Sequence, residues 1–239
     1  MMDILLGASS SCWLSVTMLL SIYHYFRQEM FVMEIEMRRR LHVLSSGKQS
    51  QRELVEIAKI IHPYVDFIQL REKMWTGKEL IMTIEQLVAA GVPLRKLYIN
   101  DRADIAFMKE LRGVQLGHQS ASISTVKQSF PSLKIGASVH TLQEAQQAHD
   151  QGADFLVYGN VYPTSSKPGR TGTGLSNLEK MVQTFPIPTI AIGGITPDRV
   201  GEIVNTGAKG IAVLSGIFLS KEPLEAARSY YKELHQEVE

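Results

Sequence analysis

One pattern dominates this chain and narrows its folding options: from Leu41 onward, short β-forming runs alternate with segments of helical spacing. The runs are Leu41–Leu44, Phe67–Leu70, Leu97–Asn100, Val114–Leu116, Ile135–Ser138, Phe155–Tyr158, Thr189–Ile192 and Ile211–Leu214. Most are apolar at successive positions, as strands covered on both faces must be. Between them, Leu54, Ile57, Ala58 and Ile61, then Leu80, Ile84, Leu87 and Val88, recur at the spacing of one helix face. The punctuation agrees. Thr141 stands three residues before Glu144, and Thr196 precedes Pro197 at a first helical position. Gly152 and Gly207 end helical segments just ahead of the next run. Eight β/α units without a long linker predict one α/β domain, a closed (β/α)8 TIM barrel rather than an open sheet. The 239 residues suit a fold that takes roughly 250.

Charge and cysteine content narrow the function. With a net charge of +1 and 21% charged residues, the chain has no excess charge to hold nucleic acid or an acidic membrane. A small, phosphorylated substrate fits that balance. A single cysteine, Cys12, excludes an internal disulfide and a cysteine-rich zinc cluster, and suggests a cytoplasmic location. Residues 1–36 form a separate extension ahead of the barrel domain at 37–239. Ile4–Phe26 is largely apolar but broken by serines and His24, a poor membrane span and a poor signal peptide. It reads as an upstream start, with Met33 or Met37 as the true first residue. The other reading is a weak anchor leaving Arg27 and Arg38-Arg39-Arg40 on the cytoplasmic side.

In this fold the chemistry sits where strands end. The second run delivers Arg71 and Lys73, cations suited to a carboxylate or phosphate, with Glu72 as their local counter-ion. The third delivers Asn100 and Asp101. The fourth delivers Gly117-His118-Gln119-Ser120, and the fifth Ser138 and His140. His118 and His140 follow adjacent strands, and either can move a proton near neutral pH. After the sixth come Asn160 and Thr164, then Lys167 in the longest connection, Val161–Gly174. Gly193-Gly194 and Leu214-Ser215-Gly216 follow the last two strands. There, glycine turns and a helix N-terminus gather backbone N–H groups around a phosphate. Asp101 is the one carboxylate close after the third run, so no metal site is assigned.

These motifs together resemble the thiamine phosphate synthase/TenI superfamily, over about Leu41–Leu234. The most specific pieces are Gln69–Lys73, Asn100-Asp101, Gly113–Gly117, Ser138–Thr141, Gly152–Gly159, Tyr162-Pro163-Thr164 with Lys167, Ala191–Ile195 and Ala212–Gly216. The resemblance implies one of two activities. The synthase branch joins a pyrimidine diphosphate to a thiazole phosphate with Mg²⁺ and releases pyrophosphate. Asp101 matches one of its metal ligands, and Ser120 stands in place of the second, an aspartate. The TenI branch tautomerises a carboxythiazole phosphate to its aromatic form with no cofactor. The stretches Thr196–Arg199, Ser215–Phe218 and Glu222–Arg228 read like that branch. Its proton-transfer histidine after the sixth strand is here Asn160, so His118, or else His140, would move the proton and Asn160 would orient the ring. On this reading Arg71 and Lys73 hold the substrate carboxylate, with Asn100, Asp101, Ser138, Thr164 and Lys167 around it. Gly193, Gly194, Leu214, Ser215 and Gly216 hold the phosphate. The expectation is therefore a thiazole tautomerase, an isomerase. The alternatives are a Mg²⁺-dependent synthase and a catalytically silent thiazole phosphate-binding regulator. No partner beyond the small substrate is expected, neither nucleic acid nor membrane. The sequence leaves the oligomeric state open, a homodimer among the options.

Overall fold

The computed structural model describes Tyr23 and residues 38–164, 169 and 171–236. The chain falls into two compact units, Met1–Arg38 and Arg39–Glu239. The expectations for residues 1–36 lie outside the described residues, Tyr23 aside. Among the described residues no helix is long and apolar enough to cross a membrane.

In the second unit all eight expected strands form. They are β1 (Arg40–Leu44), β2 (Phe67–Leu70), β3 (Leu97–Asn100), β4 (Gly113–Leu116), β5 (Lys134–Val139), β6 (Phe155–Gly159), β7 (Thr189–Ile192) and β8 (Gly210–Val213). Each pairs in parallel with the next, and β8 returns to β1 with Leu41 opposite Ile211, closing the barrel. Closure leaves no strand edge unpaired. Helices α1 (Gln51–Ile61), α2 (Gly77–Ala89), α3 (Ala103–Met108), α4 (Ile123–Ser129), α5 (Leu142–Asp150), α6 (Leu175–Thr184) and α7 (Val200–Asn205) connect them. Then α8 (Ser215–Phe218) and α9 (Pro223–His235) follow β8.

The helices form where the sequence pattern put them, for local reasons. Ser50 and Thr76 open α1 and α2 with capping boxes, each exchanging hydrogen bonds with a glutamate three residues on. Leu54, Ala58 and Ile61 of α1, and Leu80, Ile84 and Leu87 of α2, are buried against the sheet. Val88 continues the same spacing but is 42% exposed, because the helix face has turned away from the barrel by that step. Thr141 caps α5 as expected. Thr196-Pro197 opens a 3-10 turn, Pro197–Arg199, that leads into α7. Gly152 and Gly207 terminate their helices with positive φ, 87° and 84°.

The barrel interior is solid at its amino end. The rings of His42, Phe67, Tyr98 and Phe155 meet there, with centroids 4.9 to 6.1 Å apart. Gly136 on β5 makes room for them, since a Cβ there would collide with Phe155 and the Gln115 amide. Burial holds the His42 imidazole down at about 3, so it stays neutral in this plug. Its Nδ1 lies 3.1 Å from Gln69 Nε2, which starts the polar layer above.

Candidate active site

Above that plug, a cavity of about 1050 Å³ opens at the carboxyl ends of the strands. Drug-sized pockets usually run from about 300 to 1,000 Å³, so this one has room for two small substrates. Its floor is amide-rich. Gln115 Nε2 donates to Ser138 Oγ at 2.9 Å. Among the described residues, the buried side-chain oxygens of Gln69, Asn100 and Gln115 meet no hydrogen-bond partner. Gln69 and Gln115 are fully shielded glutamines in a barrel core, where unpaired acceptors are costly. Both residues line the cavity floor, with the Gln115 oxygen turned against Gly136.

The wall over β2 to β5 is built from side chains. Arg71 and Lys73 line it, as expected. Glu72 does not pair with them as a surface counter-ion. It is 7% exposed and turns beneath the β1–α1 loop, accepting the Gly47 N–H at 3.3 Å. Burial raises its carboxyl above the usual range, against the opposing effects of Ser45, the Gly47 N–H and Arg71. Asp101 follows β3 with φ 62°, a left-handed conformation that an aspartate tolerates better than most residues. Ser120 Oγ accepts the Gly117 N–H at 2.7 Å and donates to Asp101 Oδ1 in a short hydrogen bond. The two oxygens therefore sit side by side. Mg²⁺ is usually held by one or two carboxylates plus substrate phosphates, and P-loop enzymes pair one hydroxyl with one carboxylate. The Asp101–Ser120 pair fits an ion that arrives on a diphosphate.

His118 and His140 come together as the adjacent strands required, with ring centroids 5.3 Å apart. Glu144 binds the pair. Its Oε2 accepts the His140 N–H at 2.6 Å and stands 3.7 Å from His118 Nε2. His140 Nδ1 makes a short contact with the Gly159 carbonyl, so it carries the proton there. His118 is half-exposed at the rim. Asn160 is buried, and its Nδ2 donates to the Tyr162 carbonyl at 3.1 Å. That bond shapes its own loop.

The wall over β7 and β8 is built from backbone. Gly193 and Gly194 turn with φ 102° and 66°, and Leu214, Ser215 and Gly216 face them around the start of α8. A Cβ at Gly193 would drive into Asn160, and one at Gly194 into Pro163 and Tyr162. The turn is braced from behind. Arg199 donates to the Gly194 carbonyl at 3.1 Å and lies 4.6 Å over the Tyr162 ring. The Tyr162 hydroxyl donates to Glu202 at 2.8 Å. Burial and Glu202 push that hydroxyl up to about 12.

The cavity thus gathers Arg71, Lys73, Asn100, Asp101, His118, Ser138, His140, Asn160, Thr164, Gly193, Gly194, Leu214, Ser215 and Gly216. Lys167 lies outside the described residues. The ends of its loop are fastened, with the Thr173 N–H on the Asn160 carbonyl at 2.8 Å and the Gly174 N–H on Val161 at 3.0 Å. Sequence reasoning missed Ser46, Lys48 and Arg199, which also line the cavity. Ser46 and Lys48 carried the signal used elsewhere, a polar turn after an apolar strand, but at the first strand. Arg199 carried none, because it reaches the cavity only through the packing of its turn.

Comparison with known proteins follows the same outline. The family described as Thiamine monophosphate synthase matches residues 41–217. A protein from Caldivirga maquilingensis named Thiamine-phosphate synthase is 34% identical over 201 residues, 80% of this chain and 95% of that one. Its namesake from Pyrococcus furiosus is 33% identical over 209 residues, 86% of this chain and 99% of that one. The solved structure titled Thiamine phosphate pyrophosphorylase from Pyrococcus furiosus superposes with a TM-score of 0.71 at 32% identity. It covers 82% of this chain and 95% of that one. These matches overturn the expected isomerase: relatives at 33–34% identity over most of the chain are named for a transferase. The geometry explains why the expectation erred. Ser120 stands where the synthase branch has its second aspartate, and it sets an oxygen against Asp101. His118, chosen as the replacement base, stands half-exposed beside Glu144.

Proposed function

This chain belongs to the thiamine monophosphate synthase family, and from that premise we propose that it joins a pyrimidine diphosphate to a thiazole phosphate and releases pyrophosphate. One observation carries the reading: a single cavity holds two different anion-recognition walls, cationic side chains after β2 and a backbone cup after β7 and β8. A diphosphate suits the first, with Arg71 forking onto its oxygens. A phosphate monoester suits the second.

The bonds balance without a base. The carbon–oxygen bond to the diphosphate breaks, and its electron pair leaves with pyrophosphate. The thiazole nitrogen lone pair forms the new carbon–nitrogen bond, and the ring takes the positive charge. No proton is abstracted, so Asn160 in place of a histidine is no obstacle. Arg71 and Lys73 stabilise charge on the departing oxygens. Asn100 and Gln69 orient the heterocycle through their buried amide oxygens. The cup at Gly193, Gly194 and Ser215 holds the thiazole phosphate so that its nitrogen meets the carbon in line. Asp101 and Ser120 would hold Mg²⁺, which neutralises the diphosphate when bound.

The test is direct. The full chain is incubated with both substrates and Mg²⁺, and thiamine phosphate and pyrophosphate are followed by chromatography. Equimolar formation of both above an enzyme-free blank is the expected result. Binding of both substrates with no product would sink the proposal and leave a regulator.

A further inference from the structure

The β1–α1 loop stands between the two anion walls, because β1 lies between β2 and β8 in the closed barrel. It is fastened on both sides. Toward β2, the buried Ser45 Oγ accepts the Arg71 N–H at 2.8 Å, and Glu72 Oε1 accepts the Gly47 N–H at 3.3 Å. Toward β8, Gln49 Nε2 donates to the Phe218 carbonyl at the end of α8, at 2.8 Å. Within the loop, Ser46 Oγ donates to Gln49 Oε1 at 2.6 Å and accepts the Lys48 N–H at 3.2 Å. Gly47 turns at φ 73°, a left-handed step that glycine takes without strain. The result is a fixed strap that presents the Lys48 side chain to the cavity.

We propose that Lys48 is a further substrate-binding cation, contacting the diphosphate beside Arg71 and Lys73, and that Glu72 is the residue that positions it. The inference rests on the synthase reading above. Two of the strap's ties run to residues 71 and 72 against one to Phe218, which favours the diphosphate side for Lys48. Charge argues the same way. A diphosphate carries several negative charges, and a further cation on this side adds to the attraction that Arg71, Lys73 and a bound Mg²⁺ would supply. Glu72 suits a positioning role because it meets the strap and not the cavity. Burial raises its carboxyl, against the pull of Ser45, the Gly47 N–H and Arg71.

The experiment is titration calorimetry of the full chain with sodium pyrophosphate and, separately, with thiazole phosphate, at fixed Mg²⁺. Lys48→Gln is expected to weaken pyrophosphate about 10-fold, the cost of one charge-assisted contact, and to flatten its salt dependence. Lys48→Arg should retain most of the affinity, and thiazole phosphate should bind as before. Glu72→Ala should weaken pyrophosphate in the same direction. Lys48→Gln added to it should then cost little more, the non-additivity of a coupled pair. Glu72→Gln, which keeps an acceptor for Gly47, should restore binding. If Glu72→Ala fails to fold, the Glu72→Gln and Lys48 variants still decide the matter. No pyrophosphate binding by the wild type would overturn the synthase reading and this inference with it. Equal pyrophosphate binding by wild type and Lys48→Gln, or an equal loss for thiazole phosphate, would overturn the inference alone.

Discussion

The two walls of the cavity solve one problem by different means. Over β2 to β4 the cavity is lined by side chains: Arg71, Lys73, Asp101 and the rim histidine His118. Over β7 and β8 it is lined by backbone: the Gly193-Gly194 turn, braced by Arg199, and the start of α8. A side-chain wall can change residue by residue and keep the fold, as Ser120 shows by preserving an oxygen against Asp101. A backbone wall has no such freedom. Its donors belong to the main chain, and its shape depends on positions where no Cβ fits. Specificity can drift on the first wall, while the second stays fixed.

That contrast can be broken most forcefully at Gly193. Gly193→Val puts a β-branched residue at φ 102° and a side chain into Asn160. Thiazole phosphate affinity should fall at least about 100-fold, with a lower melting temperature, since strained positive-φ residues cost roughly 1–3 kcal/mol each before any collision is counted. Calorimetry and thermal unfolding on one sample measure both. Unchanged phosphate binding would show that the cup is not built from this turn. On the opposite wall, Arg71→Ala should raise the KM for the pyrimidine diphosphate about 10- to 100-fold, the worth of a charge-assisted hydrogen bond. The melting temperature should hold, because the chain keeps the fold without that side chain. A large loss of stability instead would make the side-chain wall as structural as the backbone one.

The smallest effect lies under the cavity. His42 titrates at about 3 in the fold and at 6.5 when exposed, so the unfolded chain takes up its proton first. Its stabilisation is complete above pH 6.5 and declines as pH falls toward 3. Between pH 7 and 5 the loss should be about 2 kcal/mol, read as a shift in urea midpoint. The buried Glu72, whose carboxyl is raised, works in the opposite direction. Comparison with His42→Leu therefore isolates the imidazole, and that variant should lose this part of the pH dependence. Amide exchange in mild acid should then open β1 to β3, where His42 meets Gln69, Phe67 and Tyr98, before β7 and β8. Simultaneous opening of all strands would remove the asymmetry.

Much of this was legible in the order of residues. All eight strands, the paired caps at Thr141 and Gly152, and fourteen cavity residues follow from local pattern plus one rule about where strands end. The rule worked because a barrel strand has a short, fixed path, so its trailing residues have nowhere to go but the rim. It was less informative about roles. Glu72 looks like a counter-ion in the sequence Arg71-Glu72-Lys73, but alternation along an extended chain turns it away from its neighbours and under the β1–α1 loop. Asn160 reads as a ring-orienting group, and only the fold shows that its Nδ2 is also held on the Tyr162 carbonyl.

The sequence by itself determined the barrel, because hydrophobic period and turn chemistry are local and repeat eight times. It also determined which residue types reach the rim. Tertiary structure decided which of them meet: Ser120 with Asp101 across 19 positions, Gly47 with Glu72 across 25, Gln49 with Phe218 across 169. The first two bridge loops after neighbouring strands, and the third forms only when β8 pairs with β1. Closing the barrel brings its first and last strands together, and no local pattern encodes the contacts that closure makes.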